Sequence, residues 1–416
     1  MKNDFSPVRG MLDYMPKEAS MRESVRRAIL DSYTRNGFNL IDTPILESLD
    51  FLDSSEGGDN LKLMFKTIKR KDKLDLTKPD LTEKDIVAEG MRYDLTVPLC
   101  RFYAGNREKL PRPFKSIQIG WAFRAERPQR GRNRQFTQCD IDIFGDATIN
   151  AELELLNTTI STLNLLGFKN LTVKINNRQI LNALVMFAGF SEEDIPSVCI
   201  TLDKLDKIAI TGVMMELVEK GYETDKINKL VDVLNVVLSR GLDCVVEYGV
   251  DGKIKDDLAF LIDTLKKLNK DCDIKFDVSI VRGQGYYTGT VYEIYAEGFS
   301  GAIVGGGRYD KMLNKFAGVD IPAVGCSIGF EPITMLLNER SNFEIKNNNL
   351  ALIYYPEDDI IKVYEIKREL MEKYNVSLFM QPKNMKNFYE KIVSVASMVT
   401  TTKDYMEGKE IKILNQ

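Results

Sequence analysis

The part of the chain best equipped for binding chemistry runs from Phe123 to Gly145 and reads FRAERPQRGRNRQFTQCDIDIFG. Between Arg101 and Arg134, eight Arg and two Lys stand against two Glu, which leaves a local charge of +8 on a chain whose net charge is −4. Arginines this close together repel one another unless an anion lies against them. A basic patch on an acidic protein therefore predicts one specific polyanionic ligand rather than a general nucleic-acid coat protein.

Two strands are needed to position these side chains. Apolar residues alternate with others from Ile117 to Phe123 and again from Cys139 to Ile143. Period-two alternation on both sides of a polar loop is typical of a β-hairpin with one packed face. The other face carries four polar side chains: Arg124, Glu126, Gln138 and Asp142. The alternative is an ordinary amphipathic hairpin with a solvated arginine loop.

The hairpin closely resembles motif 2 of class II aminoacyl-tRNA synthetases, and within that class it is similar to the histidyl enzymes. Its F-R-x-E-R-P start and R-Q-F-x-Q return carry the resemblance. The resemblance implies an α+β fold: a class II antiparallel sheet flanked by helices, a helical insertion domain and a small C-terminal α/β domain. It also implies a homodimer that uses histidine, tRNA(His) and ATP with Mg²⁺, and that has no protein-bound metal.

The composition sets limits that agree with these expectations. At 416 residues the chain is too long for one simple core, so two or three domains are expected. The start, MKNDFSPV, lacks the apolar run of a signal peptide, and no apolar stretch is long enough to span a bilayer. We therefore expect a cytoplasmic protein with no membrane contact.

Cysteine and histidine usage excludes several kinds of site. The six cysteines are scattered without a C-x-x-C pair, so buried reduced thiols are expected rather than a zinc site or disulfides. The chain contains no histidine, which excludes Ser-His and Cys-His nucleophiles and His-ligated metals. A protein that charges, makes or senses histidine benefits if its own synthesis consumes none. Chance is the alternative explanation.

The resemblance divides the chain into four parts. They are the first part of the catalytic core with motifs 1 and 2 at 1–170, the helical insertion domain at 171–270, the second part of the core at 271–340, and an anticodon-binding-like α/β domain at 350–416. The periodicity predicts a helix over 17–36 and an extended segment over 38–45, which resemble the motif 1 dimer interface. Residues 339–349 are predicted to be a linker.

The segment GMRYDLTVPL predicts a strand with Arg92, Asp94 and Thr96 on one face. A plain one-sided strand is the alternative. By resemblance, the Asp-Leu-Thr run at Asp94, Leu95 and Thr96 holds the amino group of the substrate. A carboxylate suits an ammonium group, and a hydroxyl can fix its direction.

Two further segments resemble signatures of histidyl enzymes. In VRGQGYYTG, Arg282 corresponds to an arginine over the reacting α-phosphate, while Gln284 and Gly285 replace the usual Leu-Asp. The glycine triplet 305–307 predicts either a phosphate cradle or a flexible turn. By resemblance it lines the imidazole pocket.

The strand at 323–328 and the helix that follows, to about Arg340, resemble motif 3. The class has an arginine for the γ-phosphate where this chain has Pro332. Losing such a charge-assisted bond costs ~1.5–3 kcal/mol unless Arg308, Arg340 or Mg²⁺ compensates.

The resemblance assigns roles to individual residues. Arg124 and Arg282 are the catalytic pair, and they also contact histidine. Glu126 and Phe136 complete the ATP site with them. Histidine is held in addition by Asp94, Leu95, Thr96, Gln138, Asp142, Tyr286 and Tyr287. Gln138 and Asp142 are about 13 Å apart along a strand, enough to bracket a small two-ended molecule. The tRNA end is held by Arg127, Arg130 and Arg132.

Two functions remain open. The first is a working histidine-tRNA ligase. The second is a catalytically silent relative, the histidine-sensing regulatory subunit of ATP phosphoribosyltransferase. Pro332, the Gln284-Gly285 change and a short tail favour the second. The intact hairpin, Arg282, the helical insertion and the presence of a tail domain favour the first, which we prefer.

Overall fold

The computed structural model describes residues 5–53, 58–70, 73–282, 285–340, 348–381, 385–393 and 395–414. The chain forms two compact units. The first contains Arg26–Leu336 and the residues before Asp13, and the second contains Asp13–Val25 and the chain from Leu337 onward. The four-part division expected from the resemblance stays a prediction.

The first third of the chain leads from a long helix into a hairpin. Its elements are α1 (Pro16–Arg35), β1 (Asn39–Leu40), β2 (Leu46–Ser48), α2 (Leu49–Asp53), a 3₁₀ helix (Gly58–Leu63), β3 (Lys66–Ile68), α3 (Glu83–Ile86), β4 (Val87–Met91), α4 (Thr96–Asn106), a 3₁₀ helix (Arg107–Lys109), β5 (Phe114–Phe123) and β6 (Gln135–Phe144). The predicted first helix is confirmed, and the predicted extended segment over 38–45 contains β1, while β2 begins just after it.

The middle of the chain is mainly helical. It contains α5 (Asn150–Leu165), β7 (Thr172–Asn177), α6 (Arg178–Phe187), α7 (Ile195–Leu202), α8 (Leu205–Glu219), α9 (Thr224–Arg240), a 3₁₀ helix (Gly241–Tyr248) and α10 (Gly252–Leu268). The chain then returns to the sheet through β8 (Asp273–Phe276), β9 (Thr290–Tyr295), β10 (Val304–Arg308), α11 (Asn314–Ala317), β11 (Ala323–Gly329) and α12 (Phe330–Arg340).

An eight-stranded sheet organises the first unit, in the order β1-β5-β6-β11-β10-β9-β7-β8. The predicted hairpin is confirmed: β5 and β6 are antiparallel, with Phe114 opposite Phe144 and Phe123 opposite Gln135. The parallel pairs lie at the two edges, where β1 joins β5 and β7 joins β8. The helices α5 and α10 pack together on this sheet, which gives the expected α+β fold.

The hairpin is buried more completely than the sequence predicted. Along β6, every residue from Thr137 to Phe144 is buried, on both faces. One face meets the helical layer, where Ser32 of α1 and Thr162 of α5 share a hydrogen bond of 2.7 Å. The polar side chains of the other face line a cavity instead of meeting bulk solvent, so both faces are shielded from water.

The predicted strand around Asp94 is wrong. The strand β4 ends at Met91, and α4 begins at Thr96. The Asp94 carboxylate accepts a hydrogen bond from the backbone N–H of Val97 at 3.1 Å, which fixes a turn at the start of the helix. Arg92 is pulled inward because it donates to the carbonyl of Trp121 at 2.7 Å. Local capping therefore outweighs the alternating pattern here.

The glycine triplet is neither a turn nor a phosphate cradle. Gly305, Gly306 and Gly307 lie inside β10, which pairs with β9 on one side and β11 on the other. A Cβ on Gly306 would lie 2.2 Å from the carbonyl oxygen of Gly325. Gly306 and Gly307 are therefore needed because neighbouring backbone approaches too closely for a side chain, while Gly305 leaves room for the side chain of Arg282.

The second unit contains a four-stranded sheet in the order β13-β12-β14-β15. Its elements are β12 (Asn349–Tyr354), α13 (Ile360–Leu370), β13 (Asn375–Met380), α14 (Met385–Ile392), β14 (Met398–Thr401), α15 (Thr402–Met406) and β15 (Lys412–Ile413). The sequence analysis missed β14 and α15, because both are too short to show periodicity. Part of the predicted linker, and Gln284, lie outside the described residues. Among the helices that the structure describes, none has the length and apolar character of a membrane span.

Replacing Gly306 with Ala tests the close backbone approach. We expect Gly306→Ala to lower the free energy of unfolding by about 1–3 kcal/mol, because the added methyl overlaps the Gly325 carbonyl. Urea denaturation followed by circular dichroism measures the change. The matched control is Gly105→Ala in α4, where nothing lies within 4 Å of the added Cβ. That variant should gain about 0.5–1 kcal/mol from helix propensity, and equal effects of both variants would contradict the explanation.

Candidate active site

A cavity of about 200 Å³ lies over the centre of the eight-stranded sheet. Most of the residues that the sequence singled out contribute to its wall. Those lining it are Asp94, Thr96, Arg124, Phe136, Gln138, Asp142, Arg282, Tyr286 and Tyr287. Their sequence positions span almost 200 residues, so it is the sheet order and not local sequence that brings them together.

The strands β6 and β11 form the floor of the cavity. Alternate residues of β6 face it, and they include Gln138, Asp140 and Asp142. Opposite them in β11 stand Gly329, Ser327 and Gly325 in register. A Cβ on Gly325 would lie 1.7 Å from Oδ1 of Asp142, so the glycine makes the room in which that carboxylate sits.

One end of the cavity is acidic. Tyr309 donates its hydroxyl hydrogen to Oδ1 of Asp142 at 2.5 Å. Burial raises the pKa of Asp142 to about 7, while the hydrogen bond from Tyr309 opposes the rise and the charge of Asp94 adds to it. Burial, followed by the charge of Asp142, raises the pKa of Asp140 well above its ordinary value. Burial also raises the pKa of Asp94.

Four buried acceptor oxygens around this end lack a hydrogen-bond partner within the described parts of the chain. They are Oδ2 of Asp94, Oε1 of Gln138, Oδ1 of Asp140 and Oδ2 of Asp142. The side-chain amide of Gln138 is oriented because its nitrogen donates to Oγ of Ser327 at 3.2 Å. Buried acceptors without partners are costly, so they favour a ligand that brings several N–H donors.

The wall of the cavity also carries two guanidinium groups. Arg124 donates from Nε to the carbonyl of Tyr93 at 2.9 Å, and its guanidinium carbon lies 5.1 Å from the centre of the Phe136 ring. Arg282 donates from Nη1 to Oε1 of Glu293 at 2.6 Å. Both arginines line the same cavity. The arrangement therefore suits a molecule that carries both N–H donors and anionic groups.

Some predicted residues do not line this cavity. Leu95 is fully buried in the core, and Glu126 lies just outside the wall. The loop arginines Arg127, Arg130 and Arg132 also lie outside it, in a turn closed by reciprocal backbone hydrogen bonds between Gln129 and Arg132. Leu95 helps to fix this part of the chain through its backbone, because its carbonyl accepts a hydrogen bond from the side chain of Gln118 at 3.0 Å.

Arg308 cannot take the place of the arginine that Pro332 replaces. Its guanidinium forms a two-pronged pair with Glu152, at 2.7 Å from Nε and 2.5 Å from Nη2. It also donates to the carbonyls of Asp146 and Thr148. These bonds anchor the strand that precedes Tyr309, so Arg308 is excluded from the three compensations considered for the γ-phosphate, which leaves Arg340 and Mg²⁺.

Several residues of the wall had no role predicted from the sequence, among them Asp140, Tyr309 and Ser327. Asp140 carried a usable signal, because it alternates with the residues of β6 that pack away from the cavity. Tyr309 follows the glycine triplet by two residues, but only the fold shows that it reaches Asp142. Ser327 had no local signal, since its position depends on the register between β11 and β6.

Comparison with known proteins places this geometry among its relatives. The family model described as "Histidyl-tRNA synthetase" matches residues 10–333. The histidine–tRNA ligase of Leifsonia xyli subsp. xyli is 39% identical over 386 residues, which cover 89% of this chain and 88% of the relative. The histidine–tRNA ligase of Bacteroides fragilis is 33% identical, and the match covers 80% of this chain and 76% of the relative.

Two solved structures share the fold. The histidyl-tRNA synthetase of Nostoc sp. PCC 7120 aligns with a TM-score of 0.74 and 23% identity, over 99% of this chain and 97% of that one. A Bacillus halodurans structure titled as an ATP phosphoribosyltransferase regulatory subunit/histidyl-tRNA synthetase aligns with a TM-score of 0.75 and 18% identity, over 96% and 98%. At these identities the two structures establish the fold alone.

Asp142→Asn tests the titration of the acidic end. The folded-state pKa of Asp142 is about 7 against an ordinary 3.8, so the folded protein holds a proton that the unfolded chain has released. The free energy of unfolding therefore falls as pH rises from about 4 through 7, by up to about 1.4 kcal/mol per pH unit from this group. We expect Asp142→Asn to make the slope measured by urea denaturation between pH 5 and pH 8 shallower, while the raised pKa values of Asp94 and Asp140 keep part of it.

The control for this experiment is Asp271→Asn, at an exposed aspartate. It should keep the wild-type slope. If Asp142→Asn keeps the slope as well, the carboxylate does not titrate in this range and the account of the acidic end is wrong.

Proposed function

The chain belongs to the histidyl-tRNA synthetase family, and from that premise we propose that it is a histidine-tRNA ligase, which activates histidine with ATP and transfers it to the 3′ end of tRNA(His). The observation that carries the proposal is the mixed polarity of the cavity wall. Four buried oxygens without partners among the described residues share this wall with two arginines.

Histidine matches the acidic end by its donors. Its ammonium group offers three N–H bonds, which suit Asp94 and Gln138 with the hydroxyl of Thr96 beside them. Its ring N–H suits Asp142, whose other oxygen is already bound by Tyr309. The rings of Tyr286 and Tyr287, 4.7 Å apart between centroids, would form a wall beside the imidazole.

The first reaction needs positioning more than proton transfer. A carboxylate oxygen of histidine attacks the α-phosphorus of ATP, the bond to the bridging oxygen breaks, and pyrophosphate leaves with the electron pair. The nucleophile is already an anion, so its alignment and the neutralisation of charge on the phosphate dominate the barrier. Arg124 and Arg282 suit this task because guanidinium groups stay charged and bind oxygen pairs.

The nucleotide would lie toward the hairpin. Phe136 lines the cavity and its ring faces the guanidinium of Arg124, which leaves the other face for an adenine. Glu126 would accept from the adenine edge at the rim. Mg²⁺ would arrive with ATP as part of the substrate. Within the described residues there is no group of three or more Cys, Asp or Glu side chains that could hold a metal ion.

The second reaction brings in tRNA. A hydroxyl of the 3′-terminal ribose attacks the carbonyl carbon of the histidyl group, and AMP leaves. We propose that the exposed loop with Arg127, Arg130 and Arg132 holds the single-stranded end. We further propose a cytoplasmic homodimer, a helical insertion domain at 171–270 and an anticodon-binding-like domain at 350–416, on the family alone.

A histidine-sensing regulatory subunit is the second candidate function. Pro332 favours it, since it occupies the start of α12 where the class has an arginine for phosphate. Such a protein would keep the acidic end of the cavity for histidine and would lose the reaction with ATP. The two candidates therefore differ in one measurable step.

Histidine-dependent exchange of labelled pyrophosphate into ATP distinguishes them. The ligase exchanges, and a sensor binds histidine without exchange. In Arg282→Ala we expect exchange to fall by about 100-fold or more, because a charge at the reacting phosphate is lost. Histidine binding, measured by calorimetry, should stay within about 10-fold, because the acidic end is intact. Equal losses in both would contradict the role given to Arg282.

Replacing Arg127, Arg130 and Arg132 together with Ala tests the tRNA end. We expect aminoacylation to weaken while pyrophosphate exchange stays at the wild-type rate, because the loop lies outside the cavity. The slope of log KM for tRNA against log salt concentration should flatten by about 2, as three phosphate contacts to a single strand are removed.

The control replaces the same three residues with Lys, which keeps the charge. This variant should retain most of the salt dependence. An unchanged slope in the Ala variant would show that the loop does not contact phosphate.

A further inference from the structure

Arg282 is held in an unusual conformation at the edge of the cavity. Its φ angle is 63°, in the left-handed region that an arginine rarely adopts. Its guanidinium lies flat on β10, where a Cβ on Gly305 would be 2.2 Å from Nη1. A residue strained in this way persists only when its surroundings fix it firmly, and such residues are concentrated at functional sites.

The ion pair with Glu293 uses Nη1 of the guanidinium and leaves Nε for a ligand. Nη1 of Arg282 donates to Oε1 of Glu293 at 2.6 Å. Nε is buried and has no hydrogen-bond partner in the part of the chain that the structure describes. Nε and Nη2 form the side edge of a guanidinium, which matches the paired oxygens of a carboxylate or phosphate. The position of Glu293 therefore determines which way this edge points.

Glu293 is itself held in place from the other side. The hydroxyl of Tyr295 donates to Oε2 at 2.5 Å, so both carboxylate oxygens are bound. Glu293 stands in β9 opposite Lys174 of β7 and Gly305 of β10. Lys174 lies 5.2 Å from the centre of the Tyr295 ring and pairs with Asp277 at 2.9 Å. The carboxylate therefore has little freedom to rotate.

We propose that Glu293 is a positioning residue for adenylation, which orients the Arg282 guanidinium so that its side edge faces the reacting groups. The inference rests on the proposed function. Glu293 does not line the cavity, so it acts through Arg282 and not by touching a substrate. Its contribution is alignment, and misplacement of a reacting group by about 1 Å costs as much as 100-fold in rate.

The test is steady-state pyrophosphate exchange in Glu293→Gln, which keeps the size of the side chain and removes its charge. We expect kcat to fall about 10-fold to 100-fold while KM for histidine stays within about 3-fold. Glu293→Asp keeps the charge one methylene further away, and it should recover part of the lost kcat. A role limited to stability would instead lower the yield of folded enzyme without this division between kcat and KM.

Glu47→Gln is the matched control. Glu47 forms a comparable buried pair with Arg101, at 2.7 Å, away from the cavity. Its loss should lower the thermal midpoint to a similar degree and leave kcat unchanged. If Glu293→Gln does not fold, Tyr295→Phe decides the matter, because it removes only one hydrogen bond from the carboxylate. It should lower kcat about 3-fold to 5-fold, the effect of one weak bond.

The outcomes separate this inference from the proposed function. If the wild type exchanges and Glu293→Gln matches it within about 2-fold, the positioning role alone is overturned. Where Tyr295→Phe decides, the same result from that variant overturns it. Equal falls in kcat and in histidine affinity overturn it as well. If the wild type shows no exchange, the ligase assignment fails and this inference fails with it.

Discussion

The cavity depends on keeping buried charges of opposite sign apart. Three aspartates and two arginines share one small space, and direct pairing between them would leave nothing for a ligand. Three of these groups are held by bonds to other parts of the chain: Asp142 by Tyr309, Arg124 by the carbonyl of Tyr93, and Arg282 by Glu293. Desolvation makes such an arrangement costly. The cost is offset when a ligand of complementary polarity enters the cavity. The site can therefore leave polar atoms without partners and still select a ligand by its polarity.

Glycines without a Cβ create the space that this separation requires. Gly325 gives Asp142 its place, and Gly305 lets the Arg282 guanidinium lie on β10. Both glycines stand inside strands, where they weaken the sheet's intrinsic stability relative to a larger residue. The paired strands on both sides compensate for this weakness, because β10 and β11 are central in the sheet order. The sheet thus provides rigidity, and its glycines provide room for the functional side chains.

The sequence predicts those elements of the fold and site whose residues are close together in the chain. It does not predict those that depend on contacts between distant segments. The hairpin β5–β6 was predictable because alternation and a polar loop occur within 30 residues. The turn at Asp94 was not, since a capping hydrogen bond to Val97 outweighs the alternating pattern. Arg308 looked like a phosphate ligand until the fold paired it with Glu152. Tyr309 and Ser327 gain their roles from strand register alone, which no pattern within either segment reveals.

Because the chain contains no histidine, a carboxyl group that titrates near neutral pH, such as that of Asp142, is unusual in it. Without imidazole groups of its own, the protein has few side chains whose ordinary pKa lies near neutrality. Burial moves Asp142 into that range, at about 7, which is close to the ordinary pKa of a free imidazole, about 6.5. Under the proposed function, an incoming ring N–H would stabilise the ionised carboxylate, and binding would draw the proton off Asp142. Discrimination would then follow from chemistry and not only from shape, because an apolar side chain of the same size would leave this buried carboxyl without a donor.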